Sequence, residues 1–327
     1  MWGNRLGWSI SAGIVVTFAL AVMLYARAAN TRSEPTEFAT QSRVRDPLQL
    51  PLSPATVMPR MNSADDAARF YKLAIQTYRA NRGAYDAFAE RGKPNTTEAA
   101  KLDAVKLLVD AAPSASMNLF GSPPDALVRY GASEDLEALQ RLGNLVAVRL
   151  GLISEKEGRP DEAMVYYEAV FSLGAKLYNE RVTYPELELG VSLMGLVTKP
   201  MQRIAKESGD AQRAAAIERF EAGRQQFYAE RMQPMARVLR SIDPGVVGRH
   251  AGDVFYFAEH AAERMWRIEA ILSIGRMRYF VGQGGTLGNQ RGANQLLKKY
   301  LNDPDPLIRQ AANAAQQLTV EQYRTLS

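Results

Sequence analysis

The chain has 327 residues, enough for one large or two small domains, and its 46% hydrophobic and 23% charged content is that of a globular protein. It contains no cysteine, which excludes disulfides, thiolate nucleophiles, Cys-ligated zinc, iron–sulfur clusters and covalently attached c-type haem. The net charge of +5 does not mark a nucleic-acid binder: six of the 40 basic and three of the 35 acidic side chains fall in residues 1–62, which leaves only +2 on residues 63–327.

Leu6 to Ala26 is a run of 21 residues without a charge. At ~1.5 Å rise per residue a helix of that length crosses a hydrocarbon core of roughly 30 Å. Trp8 and Tyr25 stand near its two ends as interfacial anchors do, and Arg5 and Arg27 bracket it. Ser9, Gly13, Thr17 and Ala21 recur at four-residue steps, a small-residue stripe on which a second transmembrane helix can pack closely. The run predicts an uncleaved single-pass anchor in a lipid bilayer. The competing reading is a cleaved signal peptide with Ala26-Arg27-Ala28 as its small-x-small site, but the apolar run exceeds the usual signal core of roughly 7–15 residues. Arg27, Arg32, Arg43 and Arg45 after the span argue for a cytoplasmic body, whereas the short tail before a signal-like segment argues for export. The expected place is a bacterial inner membrane with the C-terminal domain in the periplasm.

Residues 28–62 hold Pro35, Pro47, Pro51, Pro54 and Pro59, five of the chain's 16 prolines. Fixed φ and missing donors predict an extended linker there. From Ser63 onward the spacing is helical. Ser63 fits an N-cap with Asp65 and Asp66 in the first turn, ahead of Phe70, Leu73, Ala74 and Tyr78, with a stop at Gly83. A second helix is expected from Thr96-Thr97-Glu98 through Leu107 and Leu108, and then a break from Pro113 to Pro124. A third starts at Ser133-Glu134-Asp135, with Leu136, Leu139, Leu142, Leu145 and Val146 at helical steps. Pro160 and Pro185 fit first turns of helices. Helical patterns follow over 185–208, 210–242, 250–281, 289–302 and 305–317, with a possible sub-boundary near 243–249. No stretch alternates with period two, so the expectation is an all-α body over 63–327 without a sheet.

Leu150 to Val170 resembles a tetratricopeptide repeat: Leu150-Gly151 at the small first-helix position, Gly158 in the turn, Glu162-Ala163 in the second helix and Tyr167 at the aromatic position. Small residues at 151 and 163 let two antiparallel helices close, and Tyr167 fills the space between pairs. Ser154 and Ala175 depart from the pattern, which has an aromatic and a terminating proline there. Asp303-Pro304-Asp305-Pro306-Leu307-Ile308-Arg309-Gln310-Ala311-Ala312 looks like the turn and second-helix opening of a HEAT-type repeat. Neither motif recurs along the chain, and an ordinary antiparallel hairpin gives the same local pattern. Both resemblances imply stacked helix pairs, an α-solenoid-like body whose usual role is protein binding.

The chemistry-bearing residues are sparse. His250 with Asp253 and His260 with Glu263 sit three apart, but the Glu-x-x-His pattern of di-iron bundles fails because position 257 is Phe. The Gly282–Gly288 run has Leu at 287 and follows a helical pattern, so it reads as a connection and not a dinucleotide loop. No phosphate loop, serine elbow or paired-carboxylate motif is present, and the expectation is a non-enzyme without metal or cofactor. Asp253–Phe280 is the most aromatic stretch. It reads either as a helix buried on several sides or as a partner-binding face, with Phe255, Tyr256, Trp266, Arg267 and Tyr279 as contact candidates and Arg264, Arg276 and Arg278 at the rim.

Together these features point to a non-catalytic, membrane-anchored accessory subunit of a membrane complex, energy-transducing or serving envelope assembly. Its partners would be other subunits, reached through the transmembrane helix, linker and helical domain. The alternatives are a free-standing envelope scaffold or adaptor, and an enzyme of unrecognised type.

Overall fold

A computed structural model describes residues 45–91, 102–119, 134–234, 247–277 and 287–317. The body is all-α, as its spacing predicts, with one small exception. Ser63–Asp66 (β1) and Ser114–Ser116 (β2) pair as two short parallel strands. The expected N-cap at Ser63 is therefore corrected: Ser63 N–H donates to the Pro113 carbonyl and Ala67 N–H to the Ser116 carbonyl. The helix begins later, at α1 (Ala68–Ala80), where the Asp66 carboxylate accepts the Ala68 N–H at 2.9 Å. Ser63–Asp66 offers no apolar helical stripe, so pairing with a second extended segment satisfies its backbone groups instead.

Helix α2 (Arg82–Arg91) and α3 (Asp103–Ala111) follow. Next, α4 (Glu134–Gln140), a π stretch (Arg141–Ala147) and α5 (Val148–Lys156) run head to tail. Four antiparallel passes then share short turns: α5, α6 (Pro160–Glu180), α7 (Tyr184–Glu207) and α8 (Ala211–Phe227). Gly158 at φ 73° and Gly209 at φ 80° close two of these turns in the left-handed region that glycine enters without strain. Thr183 and Glu186 form a reciprocal capping box at the head of α7, beside Pro185 in its first turn. This up-and-down succession is consistent with an α-solenoid.

The segment resembling a tetratricopeptide repeat is the α5–α6 hairpin. A Cβ on Gly151 would lie 2.5 Å from the Tyr167 ring, so only glycine admits that ring between the helices. The Tyr167 hydroxyl then reaches Glu155 at 2.5 Å, and Glu155 also takes Arg203 from α7.

Helix α6 is the centre of the molecule, with every residue from Ala169 to Tyr178 buried. Its packing on α7 is the most extensive in the fold. The two backbones touch where Gly174 faces Gly190: a Cβ on Gly174 would sit 2.7 Å from the Gly190 carbonyl oxygen and 2.9 Å from the Met194 nitrogen.

The spacing over 250–281 predicts one helix, and the structure has two, α9 (Val247–His260) and α10 (Arg264–Met277). The break at 261–263 carries no Pro or Gly. Across it Arg267 Nε donates to the Ala258 carbonyl at 3.1 Å and so satisfies a group at the end of α9, while Glu263 in the break is held by Arg181. Then come α11 (Leu287–Tyr300) and α12 (Pro306–Gln317). In the HEAT-like turn, Asp305 accepts the Leu307 N–H at 2.9 Å, and Arg309 donates to the carbonyls of Asp303 and Pro304. Helix α10 packs on α12 with Gly275 against Ala315.

Among the described residues no helix is long and apolar enough to cross a membrane. The expected span at Leu6–Ala26, with Trp8, Ser9, Gly13, Thr17, Ala21 and Tyr25, lies outside the described residues. The described part of the linker, 45–62, is not a free tether: Leu48, Leu50, Val57 and Met58 are buried in the same core as the helices.

One buried cation stands out. Lys176 is 1% exposed on α6, and burial pushes its amine down to about 7. The amine donates to the Ala112 carbonyl at the end of α3 and to Ser172, and it lies 5.9 Å from the Tyr71 ring centroid. It thus serves as a donor to a helix C-terminus, a role that needs no charge.

Two outcomes follow from this packing. Gly174→Ala is expected to destabilise the fold by about 1–3 kcal/mol, because forced separation of two backbones outweighs about 1 kcal/mol of gained helix propensity; denaturant unfolding followed by circular dichroism measures it. The folded Lys176 binds its proton less tightly than the unfolded chain, so its contribution to stability rises with pH between about 7 and the ordinary lysine value of 10.5 and is lowest below 7. Lys176→Met is therefore expected to stabilise the protein more at pH 6 than at pH 10, each tenfold loss of proton affinity on folding corresponding to about 1.4 kcal/mol. Equal effects at both pH values would refute the neutral-amine reading.

Candidate interaction groove

Helices α6 and α8 run parallel, with α7 antiparallel between them in sequence, and the groove they form holds the chain's own residues 46–60. This strap runs opposite to both helices. Its early residues lie at their C-terminal ends: Leu48 and Leu50 at Tyr178, and Pro51 3.3 Å from where a Cβ on Gly223 would be. Its later residues lie at their N-terminal ends, after a single 3₁₀ turn at Pro54–Thr56 whose cap is Ser53. An extended peptide between two helices leaves backbone groups in need of partners, and side chains supply them. Tyr178 Oη accepts the Leu50 N–H at 2.8 Å and donates to the Leu48 carbonyl at 3.3 Å; Glu263 accepts the Leu48 N–H at 2.8 Å; Arg231 donates to the Asp46 carbonyl at 3.3 Å.

Where the strap ends, the groove opens into a cleft of about 890 Å³. One wall is Thr56–Arg60. The others are the first turns of α6, with Asp161, Met164, Val165 and Glu168, and of α8, with Asp210, Arg213, Ala216 and Arg219. Val165 is 42% exposed, one of four large apolar side chains so open among the described residues. Arg213 pairs with Glu168, and Asp210 caps α8 by accepting the Arg213 N–H at 2.9 Å. Arg60 and Arg219 reach solvent. The lining charges balance, three arginines against three carboxylates, so apolar contact and main-chain hydrogen bonding are what the cleft offers.

A joint between the repeat helices and the C-terminal helices lies at the other end of the strap. Across it, Arg181 makes a two-pronged ion pair with Glu263, with both N–O distances 3.2 Å. The ring of Tyr184 stacks on Trp266 with centroids 5.4 Å apart, and the Tyr184 N–H donates to Glu269 at 2.9 Å. Fully buried Glu186 faces this turn. Burial first, and then the nearby Glu180 carboxylate, raise it to about 8, while the N–H groups of Val182 and Thr183 act in the opposite direction.

The structure scatters the residues singled out by the sequence. Trp266 is 1% exposed and belongs to the joint. Arg267 binds Asp303 at 2.6 Å and is part of the HEAT-like turn. Phe255 and Tyr256 are half-buried on α9; the Tyr256 ring lies 4.6 Å from that of His260 and 6.0 Å from the guanidinium of Arg45, the residue before the strap. Tyr279 and most of the Gly282–Gly288 run lie outside the described residues. His260 faces Glu259, and no group of three or more metal-ligating side chains converges among the described residues. Sequence reasoning missed Tyr178 and Arg181, which sit at the end of α6 with no motif around them, and weighed Glu263 only as a neighbour of His260. It also missed the cleft, whose walls come from three separate stretches of the chain, 56–60, 161–168 and 210–219.

Because Glu186 holds its proton in the folded state up to about 8, it lowers stability as pH rises from the ordinary carboxylate value of 4.5 to about 8. Glu186→Gln keeps an acceptor for the two N–H groups and removes the buried charge. It is expected to raise the denaturation midpoint at pH 9 relative to wild type and to change it least at pH 4, as unfolding curves at both pH values will show. Comparison with protein-family models, with curated proteins and with solved structures returned no match for this chain.

Proposed function

We propose that this chain is a non-catalytic, membrane-anchored helical-repeat subunit whose cleft between α6 and α8 receives an extended segment of a neighbouring protein in a membrane complex. The observation that carries the reading is that the groove leading into the cleft already holds an extended, proline-containing segment of the chain itself. Stacked antiparallel helices with such grooves bind protein partners. The anchor at Leu6–Ala26 supplies a second point of attachment through Ser9, Gly13, Thr17 and Ala21, and two linked contacts raise avidity without either being strong. The strongly perturbed ionisable groups Lys176 and Glu186 lie in packed interior and not in the cleft, which favours a structural role over an enzymatic one. The near-neutral body gives nucleic acid no footing.

The test is mild detergent extraction followed by size separation. Wild type is expected to migrate within a larger assembly. Gly13→Leu should loosen it from within the bilayer, and Val165→Asp should loosen it from the cleft, each with an unchanged circular dichroism spectrum. A wild type that migrates alone under the mildest extraction overturns the subunit reading in favour of a free-standing scaffold.

A further inference from the structure

We propose that residues 46–50 are a clamp that couples the strap to the C-terminal helices α9–α12, through the single carboxylate of Glu263. This inference rests on intramolecular contacts and goes beyond the assignment of a partner cleft. Three chain segments that are remote in sequence meet at that carboxylate. The strap supplies the Leu48 N–H at 2.8 Å, the end of α6 supplies two nitrogens of Arg181 at 3.2 Å each, and Glu263 itself stands in the turn that opens α10. The site is enclosed, with Arg181 and Glu263 side chains 21% and 14% exposed. In such surroundings charge-assisted hydrogen bonds are shielded from water and stronger than exposed ones.

The recognition reads main chain and two alternate side chains. Tyr178 Oη and Glu263 take the polar groups of Leu48 and Leu50, while the two leucine side chains are 1% and 5% exposed. That is the pattern of an extended peptide held in a specific register. Arg181 is tied down on every side: it is in the ion pair, its Nη1 donates to the Tyr178 carbonyl at 2.9 Å, and its guanidinium lies 5.0 Å from the Tyr178 ring centroid. It is also the one non-glycine residue with positive φ among those described, at 23°, and such a conformation persists where surrounding contacts over-determine it. Losing the strap therefore leaves Glu263 one donor short and frees the Tyr178 hydroxyl beside Arg181. Of the helices before residue 234, α7 makes the most extensive contact with the C-terminal helices, through α10 at the Tyr184–Trp266 stack. That interface is small, so a contribution from the clamp is a large part of what fixes α9–α12 in place.

The test is hydrogen–deuterium exchange on the full chain, with Tyr178→Phe as the first variant. It removes only the hydroxyl that touches the strap and keeps the ring against Phe227 and Arg181. A buried hydrogen bond lost in this way is expected to speed exchange of peptides covering residues 46–52 about tenfold. Coupling predicts that peptides covering α10 and α12 also speed up by at least about twofold, while α1 stays unchanged. Coupling is reciprocal, so Gly275→Ala, which wedges α10 from α12, must in turn speed exchange in the strap. Faster exchange confined to the strap, an equal rise throughout the chain, or a wild-type strap that already exchanges like a free peptide would each overturn the proposal. If Gly275→Ala fails to fold, Arg267→Gln, which removes the ion pair between α10 and Asp303, replaces it as the perturbation from the C-terminal side, with the strap peptides as the readout.

Discussion

The constraint on which this fold turns is the crossing of α6 and α7 at Gly174 and Gly190. There the two backbones lie so near that a single Cβ on either glycine would meet a carbonyl oxygen at 2.7 Å. Helices at that distance exclude side chains from their crossing and bury a long continuous face, which is why α6 is covered from Ala169 to Tyr178. The remaining helices are arranged around this pair: α5 closes on α6 over Gly151, α8 returns along α7, and the end of α3 is held by Lys176 and Ser172 of α6. Neighbouring elements thus depend on contacts to a single rod.

Burial of α6 and α7 carries an electrostatic cost that the fold accommodates by neutralising charge and not by pairing it. Lys176 and Glu186 are both fully enclosed, and in each case burial moves the group toward its uncharged form. A neutral amine still donates to a carbonyl and a neutral carboxyl still accepts from backbone N–H groups, so both keep their structural roles. The ion pairs Arg181 with Glu263, Arg224 with Glu221 and Arg267 with Asp303 are less deeply buried than Lys176 and Glu186 and lie at helix ends or on outer faces. There a guanidinium can be shared between a carboxylate and a main-chain carbonyl, as Arg181 and Arg267 both show.

The strap joins these two themes. Its leucines add apolar area to the groove between α6 and α8, and its backbone is satisfied by side chains at the joint. The prolines around it, Pro47, Pro51 and Pro54, lower the conformational entropy lost when it is laid down and cannot compete as donors. A segment of this composition is extended whether it lies free or docked. Composition alone therefore reads it as a linker, although its leucines and Val57 and Met58 belong to the core.

Much of the architecture is determined by the sequence alone. Helical spacing, the prolines at 160 and 185 in first turns, and the small residues at 151 and 163 predict the all-α body, the starts of α4, α6, α7 and α8 and the closing of the α5–α6 hairpin, because helix periodicity, capping and close packing are local properties of residue type. What only the tertiary structure decided are features that depend on partners distant in the chain. Ser63–Asp66 became a strand because residues near 114 supply its hydrogen bonds, and the helix over 250–281 is broken where Glu263 is engaged by Arg181 and by the Leu48 N–H. Trp266 and Arg267 were taken up by the joint and the HEAT-like turn, where no periodicity could place them, since residues 184 and 303 complete their surroundings. The groove, the cleft and the site at Glu263 share this origin. Each is assembled from segments tens to hundreds of residues apart, and a hydrogen bond between residues 48 and 263 leaves no trace in the spacing around either one.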